Sequence, residues 1–202
     1  MKKTSLKKAA VLLLLASGML FTASCTGKKT VNTGDAIAEP DGRDYTFTYS
    51  SDWSILRDDS MYAIESPASE VSGKTANVSV LFAVIDEDLA DYADAEDGNY
   101  YSALLDKYVP EYMQAVCTEF GSTAYDGNIS DIEIDKSTGK LVSYSWKDPV
   151  TEEEFFFETV FALLPTTEYT YCYYLTYTAN GKDTFDEFHG GFAKVLSSFS
   201  FN

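Results

Sequence analysis

Residues 155–202 read FFFETVFALLPTTEYTYCYYLTYTANGKDTFDEFHGGFAKVLSSFSFN, and this stretch decides the fold. Phe155 to Leu164 is apolar on both alternating faces, the pattern of a central strand covered on each side. Pro165-Thr166-Thr167 makes a turn, and Tyr169 to Thr178 forms a second, aromatic-rich strand. Asn180-Gly181 closes that strand, and a helix is predicted to start near Asp183 or Thr184. Thr184 with Glu187 three residues on has the form of a capping box. Phe185, Phe188, Phe192, Val195 and Phe199 recur at the helical period on one face. Each of Gly190 and Gly191 costs about 1 kcal/mol relative to alanine inside a helix, so close packing on the sheet is the expected reason for them.

Upstream, Ile132 and Ile134 alternate with Asp131, Glu133 and Asp135. A turn over Lys136-Ser137-Thr138-Gly139 leads to Val142, Tyr144 and Trp146, giving an antiparallel meander. Before it, Tyr101, Leu104, Leu105, Tyr108, Tyr112, Met113, Val116 and Phe120 mark a helix that Pro110 is expected to kink or divide and Gly121 to stop. Earlier still, Ala76, Val78, Val80, Phe82 and Val84 share one face of a strand, with Asn77 and Ser79 on the other. A short strand fits Met61 to Glu65. Tyr45-Thr46-Phe47-Thr48-Tyr49 alternates at period two as a half-buried strand, and Trp53 follows a polar turn. The elements assemble as one sheet with a helix on each face.

The order of elements and several short patterns resemble the PsbP/Mog1 superfamily across roughly residues 44–202. The patterns are Tyr45-Thr46-Phe47-x-Tyr49 leading to Trp53, the mid-chain helix, four consecutive strands, Tyr174-Leu175-Thr176-Tyr177-Thr178, and the tail Val195-Leu196-Ser197-Ser198-Phe199. Members commonly carry proline in the turn before the tryptophan, where this chain has Ser50-Ser51. The resemblance implies an α+β fold: a mainly antiparallel sheet flanked by helices on both faces, an α/β/α sandwich. It also implies a binding or accessory protein rather than an enzyme. No residue-level functional motif of the family is matched, so no site is carried over.

The chain begins Met1-Lys2-Lys3-Thr4-Ser5-Leu6-Lys7-Lys8 and continues apolar from Ala9 to Phe21. That run is shorter than the ~20 residues a membrane-crossing helix requires, and its layout is that of a secretory signal. It ends Thr22-Ala23-Ser24-Cys25, which is similar to the bacterial lipobox, with Thr22 where leucine is usual. Residues 1–24 are read as a lipoprotein signal peptide and Cys25 as the lipidated residue. Two or three acyl chains, at ~0.8 kcal/mol per buried CH₂, hold far better than one. Residues 25–43 are poor in large apolar side chains and read as a flexible tether of about 20–25 Å. Residues 44–202 are the globular domain, sized for a single core. The expected location is a bacterial membrane, on its extracytoplasmic side.

The formal charge is −17, and residues 1–24 hold four lysines and no acid, so the remainder carries −21. That balance excludes nucleic acid as a partner, since phosphate binding draws on lysine and arginine. It leaves the membrane, through the lipid, and a protein or small ligand as expected partners. The charge also maintains solubility.

Catalytic motifs are missing. There is no G-x-S-x-G elbow, no Walker loop and no dinucleotide fingerprint. His189 is the single histidine, and a partly buried structural place at the edge of the phenylalanine face suits it. A Cys–His nucleophile would need Cys117 or Cys172 beside it. Those two cysteines are expected as free thiols, a disulfide being the alternative outside the cytoplasm. Zinc lacks ligands, and no cofactor is expected. The acids Asp86, Glu87, Asp88, Asp91, Asp94, Glu96 and Asp97 form the one constellation suited to a cation, calcium by its oxygen preference. Asp94-x-Glu96-x-Gly98 breaks the EF-hand spacing, and a solvated acidic loop explains the segment without metal. A calcium-binding surface protein is thus one alternative, and a hydrolase of surface polymer using paired carboxylates is another. Tyr169, Tyr171, Tyr173 and Tyr177 share a strand face that either stacks sugars or peptides or lies beneath a helix.

Overall fold

The computed structural model describes residues 35–38, 45–57, 62–85, 91, 99–121 and 127–202. The strands are β1 (Asp35–Ala38), β2 (Tyr45–Ser50), β3 (Ser54–Arg57), β4 (Tyr62–Glu65), β5 (Ala76–Ile85), β6 (Asn128–Ile134), β7 (Ser137–Lys147), β8 (Glu154–Pro165), β9 (Thr170–Asn180) and β10 (Ser200–Phe201). The helices are α1 (Tyr100–Glu119) and α2 (Lys182–Ser198). Seven strands form one sheet in the order β3-β4-β5-β9-β8-β7-β6, and every neighbouring pair in it is antiparallel.

β9 lies in the middle, and its alternation is apolar in both directions. Tyr173, Leu175, Tyr177 and Ala179 pack into one core with Phe192, Val195 and Phe199 from the α2 end of the chain. Cys172 and Tyr174 pack into the opposite core with Leu104, Leu105, Tyr108, Tyr112, Met113 and Val116 of α1. The result is an antiparallel α+β sandwich with a helix on each face. The strand face bearing Tyr45, Phe47 and Tyr49 is buried and its other face half-buried, as the period-two pattern requires. Yet β2 is not part of the main sheet. It joins β1 and β10 in a separate three-stranded sheet that packs beside α2 over the same core.

Further expectations need correction. β1 falls inside the stretch read as tether, pairing with β2 from Asp35↔Ser50 to Ala38↔Phe47. Composition missed it because a strand edge is joined by backbone hydrogen bonds, which need no large side chain. β3, Ser54-Ile55-Leu56-Arg57, adds a strand after Trp53 and pairs with β4.

The β6–β7 turn is Asp135-Lys136, both with positive φ (46° and 63°), and Ser137 to Gly139 already belong to β7. Two left-handed residues suit the twist of a tight hairpin. Gly139 serves packing instead: a Cβ there would stand 2.7 Å from the Phe161 carbonyl oxygen.

Pro110 does not divide α1, which runs as one helix from Tyr100 to Glu119. Proline costs about 3 kcal/mol in a helix interior. Buried side chains on both sides of it, from Leu104 to Val116, each contribute about 1.5–3 kcal/mol and hold the two halves on one sheet. Asn99 caps the start through its side chain, accepting from Ser102 N–H at 3.2 Å, and Gly121 ends it at φ +79°.

The capping box at α2 is absent. Gly181 is the N-cap, with no side-chain capping bond. Thr184 Oγ1 is instead 2.7 Å from Ser72 Oγ, and the Glu187 carboxylate accepts from Ser69 Oγ at 2.6 Å. Both residues tie the β4–β5 loop to the helix.

The two glycines of α2 differ. A Cβ on Gly191 would lie 2.5 Å from Trp53 Cζ2, whereas Gly190 has open space. Gly191→Ala is expected to lower stability by about 1–3 kcal/mol through overpacking. Gly190→Ala is expected to raise it by about 0.5–1 kcal/mol. Urea unfolding midpoints check the pair, and shifts of the same sign would show that the indole does not set this contact. Under α1, the Tyr108 and Tyr174 hydroxyls bond each other, while the buried Tyr112 hydroxyl has no partner. Tyr112→Phe should therefore leave stability unchanged or raise it by up to about 1 kcal/mol, and Tyr174→Phe should lower it by about 1–3 kcal/mol. Thermal melts that rank the two variants the other way would contradict this assignment.

Candidate functional site

The reactive side chains are held apart. His189, on α2, has Nε2 2.9 Å from Glu158 Oε2 on β8, and its ring lies against Tyr177, Phe185 and Phe192. Tyr177 donates to the Phe185 carbonyl at 2.7 Å. Burial, reinforced by the nearby carboxylates of Glu158, Asp186 and Glu187, pushes the Tyr177 phenol well above its ordinary range. Neither Cys117 nor Cys172 is in a disulfide. Cys172 belongs to the α1 face of the sheet and Cys117 to α1 itself, whereas His189 is on the helix covering the opposite face. A Cys–His pair is thereby excluded. Burial also pushes the Cys172 thiol far up, and it raises Tyr108, Tyr112 and Tyr174 around it. None of these groups is a poised base or nucleophile at neutral pH.

Of the acids considered for a cation, Asp91 is exposed. Asp86, Glu87, Asp88, Asp94, Glu96 and Asp97 lie outside the described residues, as does Cys25. Among the described residues no three His, Cys, Asp or Glu side chains gather as a metal site. No described helix is long and apolar enough to cross a membrane.

Cations are bound within the fold. Lys140 on β7 is buried and bridges Asp106 of α1 and Asp131 of β6, the latter at 2.6 Å. Desolvation works to lower its pKa, but the two carboxylates bonded to it outweigh that and raise it. A cavity of about 250 Å³ opens at the start of α2, lined by Ser72, Lys74, Asn180, Gly181, Lys182, Asp183 and Thr184. Several of its polar groups bond one another or a neighbour, Ser72 with Thr184 among them. Lys74 Nζ reaches Asn180 Oδ1 at 2.7 Å and Glu153 Oε1 at 3.2 Å. Lys182 pairs with Asp186.

The tyrosine face of β9 divides into two regions. Tyr177 stacks under Phe192 of α2 at 5.3 Å, and Tyr173 is enclosed by Tyr45 and Phe201. Tyr171 is half-buried and Tyr169, just before the strand, is 52% exposed. On β5, Phe82 faces Tyr173 and Val84 faces Tyr171 in register. These two lie on the face predicted from alternation but are 46% and 40% exposed. Phe82 touches Tyr171 edge-on at 5.8 Å, and Tyr171 touches Tyr169 at 6.4 Å. The sequence offered stacking or burial as alternatives for this face. Burial holds for Tyr173 and Tyr177, while Tyr169 and Tyr171 reach the surface.

No protein-family model matches the chain, and no curated protein does. Among solved structures, it is similar to LpqN, described as involved in cell envelope biogenesis of Mycobacterium tuberculosis. The TM-score is 0.53 at 12% identity, covering 84% of this chain and 91% of LpqN. The Saccharomyces cerevisiae Ran-binding protein Mog1p gives a TM-score of 0.49 at 8% identity, over 84% of this chain and 96% of Mog1p. Cyanobacterial PsbP from Synechocystis gives 0.45 at 15% identity, over 90% and 99%. The likeness is one of fold.

Proposed function

We propose that the chain is a lipid-anchored, extracytoplasmic, non-enzymatic binding domain acting on a protein or small-ligand partner. One observation carries the binding part: an aromatic surface at Phe82, Tyr169 and Tyr171 is left open, while His189, Cys172, Lys74 and Lys140 are engaged in structural contacts. The anchor part stands on the sequence, from the cationic start through the short apolar run to Cys25. The strongly acidic remainder makes a covalent anchor useful, because an anionic lipid surface repels it.

β1 shortens the tether. Residues 26–34 reach at most about 30 Å even when fully extended, so the domain is held close to the headgroups, starting from Asp35.

In a bacterial host, Cys25→Ser is expected to move the protein from the membrane fraction to the soluble fraction. Mass spectrometry of the wild-type product is expected to find acyl chains on Cys25. Membrane retention of the serine variant at the wild-type level would remove the anchor from this reading.

A further inference from the structure

The uncovered aromatic surface has a definite position and a definite electrostatic setting. α2 and the β1-β2-β10 sheet cover the face of the main sheet that carries Val78, Leu175 and Tyr177. Their cover ends at Phe201, which lies over Tyr173 at 5.1 Å and pairs with Tyr45. Beyond that edge lie Phe82, Val84, Tyr171 and Tyr169, a patch of three rings and one branched aliphatic. The chain enters the domain at the other end of β2, where Asp35 pairs with Ser50, about 17 Å from Tyr45 at the usual rise of a strand.

Acids predominate around the patch, although Lys136 stands beside Asp135 in the β6–β7 turn. None of β5, β8 and β9 contains a lysine or arginine, and neither does the Thr166–Tyr169 turn. Glu168 is exposed directly before Tyr169, and Asp135 holds the neighbouring chain end through Phe201 N–H at 2.8 Å. From Lys74 to Lys107 the sequence has no cation in between, and the whole chain carries −17.

We propose that this surface docks an apolar segment of another protein bearing lysine or arginine. The inference rests on the binding reading above and names the chemistry of its partner. Exposed tyrosine and phenylalanine faces suit both parts of such a segment. They bury aliphatic side chains and attract cations to the ring face. Negative surroundings speed the encounter with a basic partner and turn away acidic ones. An anionic lipid surface meets the same repulsion, which sets the occupant apart from the membrane holding the anchor.

The test uses the full chain in detergent and a synthetic peptide of mixed lysine and leucine, with a glutamate–leucine peptide, a lysine–serine peptide and a chito-oligosaccharide as comparators. The lysine–leucine peptide is expected to bind tightest and to weaken as salt rises. Phe82→Ser combined with Tyr169→Ser is expected to lower its affinity at least about tenfold, as loss of an anchoring residue does. Both positions are exposed, so an unchanged melting temperature shows that the variant is folded. If it does not fold, Tyr169→Ser alone gives the same reading. Equal affinity of folded variant and wild type overturns the proposal. So does equal binding of the lysine–serine or glutamate–leucine peptide, or tighter binding of the oligosaccharide. Any of these leaves the anchored domain itself standing, since the Cys25→Ser fractionation tests that separately.

Discussion

The structure depends on the burial of β9 from both sides. A strand with Leu175 and Tyr177 on one face and Cys172 and Tyr174 on the other cannot lie against water on either. Each face therefore needs its own cover. α1 supplies one, and α2 with the small sheet supplies the other. Rings interlock across these boundaries: Tyr112 lies against Tyr174 and Phe161, and Tyr177 against Phe192. Aromatic pairs of this kind add about 0.5–1.5 kcal/mol beyond the area they bury. The open patch follows from the same constraint. The covers are shorter than the strands they cover, so the aromatic alternation continues past Phe201 to Tyr171 and Tyr169.

Periodicity carried most of this architecture. The two-sided apolar run of β8, the alternation of β2 and the phenylalanine stripe of α2 each state which face is buried, and the structure agrees with all three. It could not state which layer a strand joins. β2 pairs with β1 and β10 instead of entering the main sheet, because pairing is made by backbone atoms whose partners leave no mark on the side-chain pattern. Local capping rules failed at Thr184 for a related reason. A buried hydroxyl takes whichever partner tertiary packing brings within reach, here Ser72. Gly191 was legible as a conflict with helix propensity, but its cause, the Trp53 ring, stands far away in the sequence.

The candidate surface was half legible. The tyrosines on one face of β9 could be counted, but the sequence does not show where α2 ends relative to the strand beneath it, and that decides which rings are covered. Phe82 and Val84 read as core from their alternation with Val78 and Val80, and the identical pattern gives opposite fates along a single strand. The buried hydroxyls on the α1 face were less legible still. Thr159 and Thr176 face each other at 3.1 Å across β8 and β9, so each satisfies a group that would otherwise be costly to bury. From the sequence they are only polar residues in an apolar strand.

Electrostatics links the fold to its surface. A chain with thirty-two acids and fifteen lysines and arginines has few cations to distribute, and several of them act as internal ties. Lys140 draws α1 to β6, and Lys74 joins the start of β5 to the β7–β8 turn and the end of β9. Glu153 shows the effect on its partner: bonds from Asn180 and Lys74 hold its carboxyl below the usual range. It therefore stays ionised to lower pH than in the unfolded chain, and that contribution fades as acid protonates it. Each lysine used in this way offsets acids at a junction, and Lys140 is buried there. The net charge stays at −17, and the apolar patch beside β5 and β9 sits in that field without a cation of its own strands to offset it.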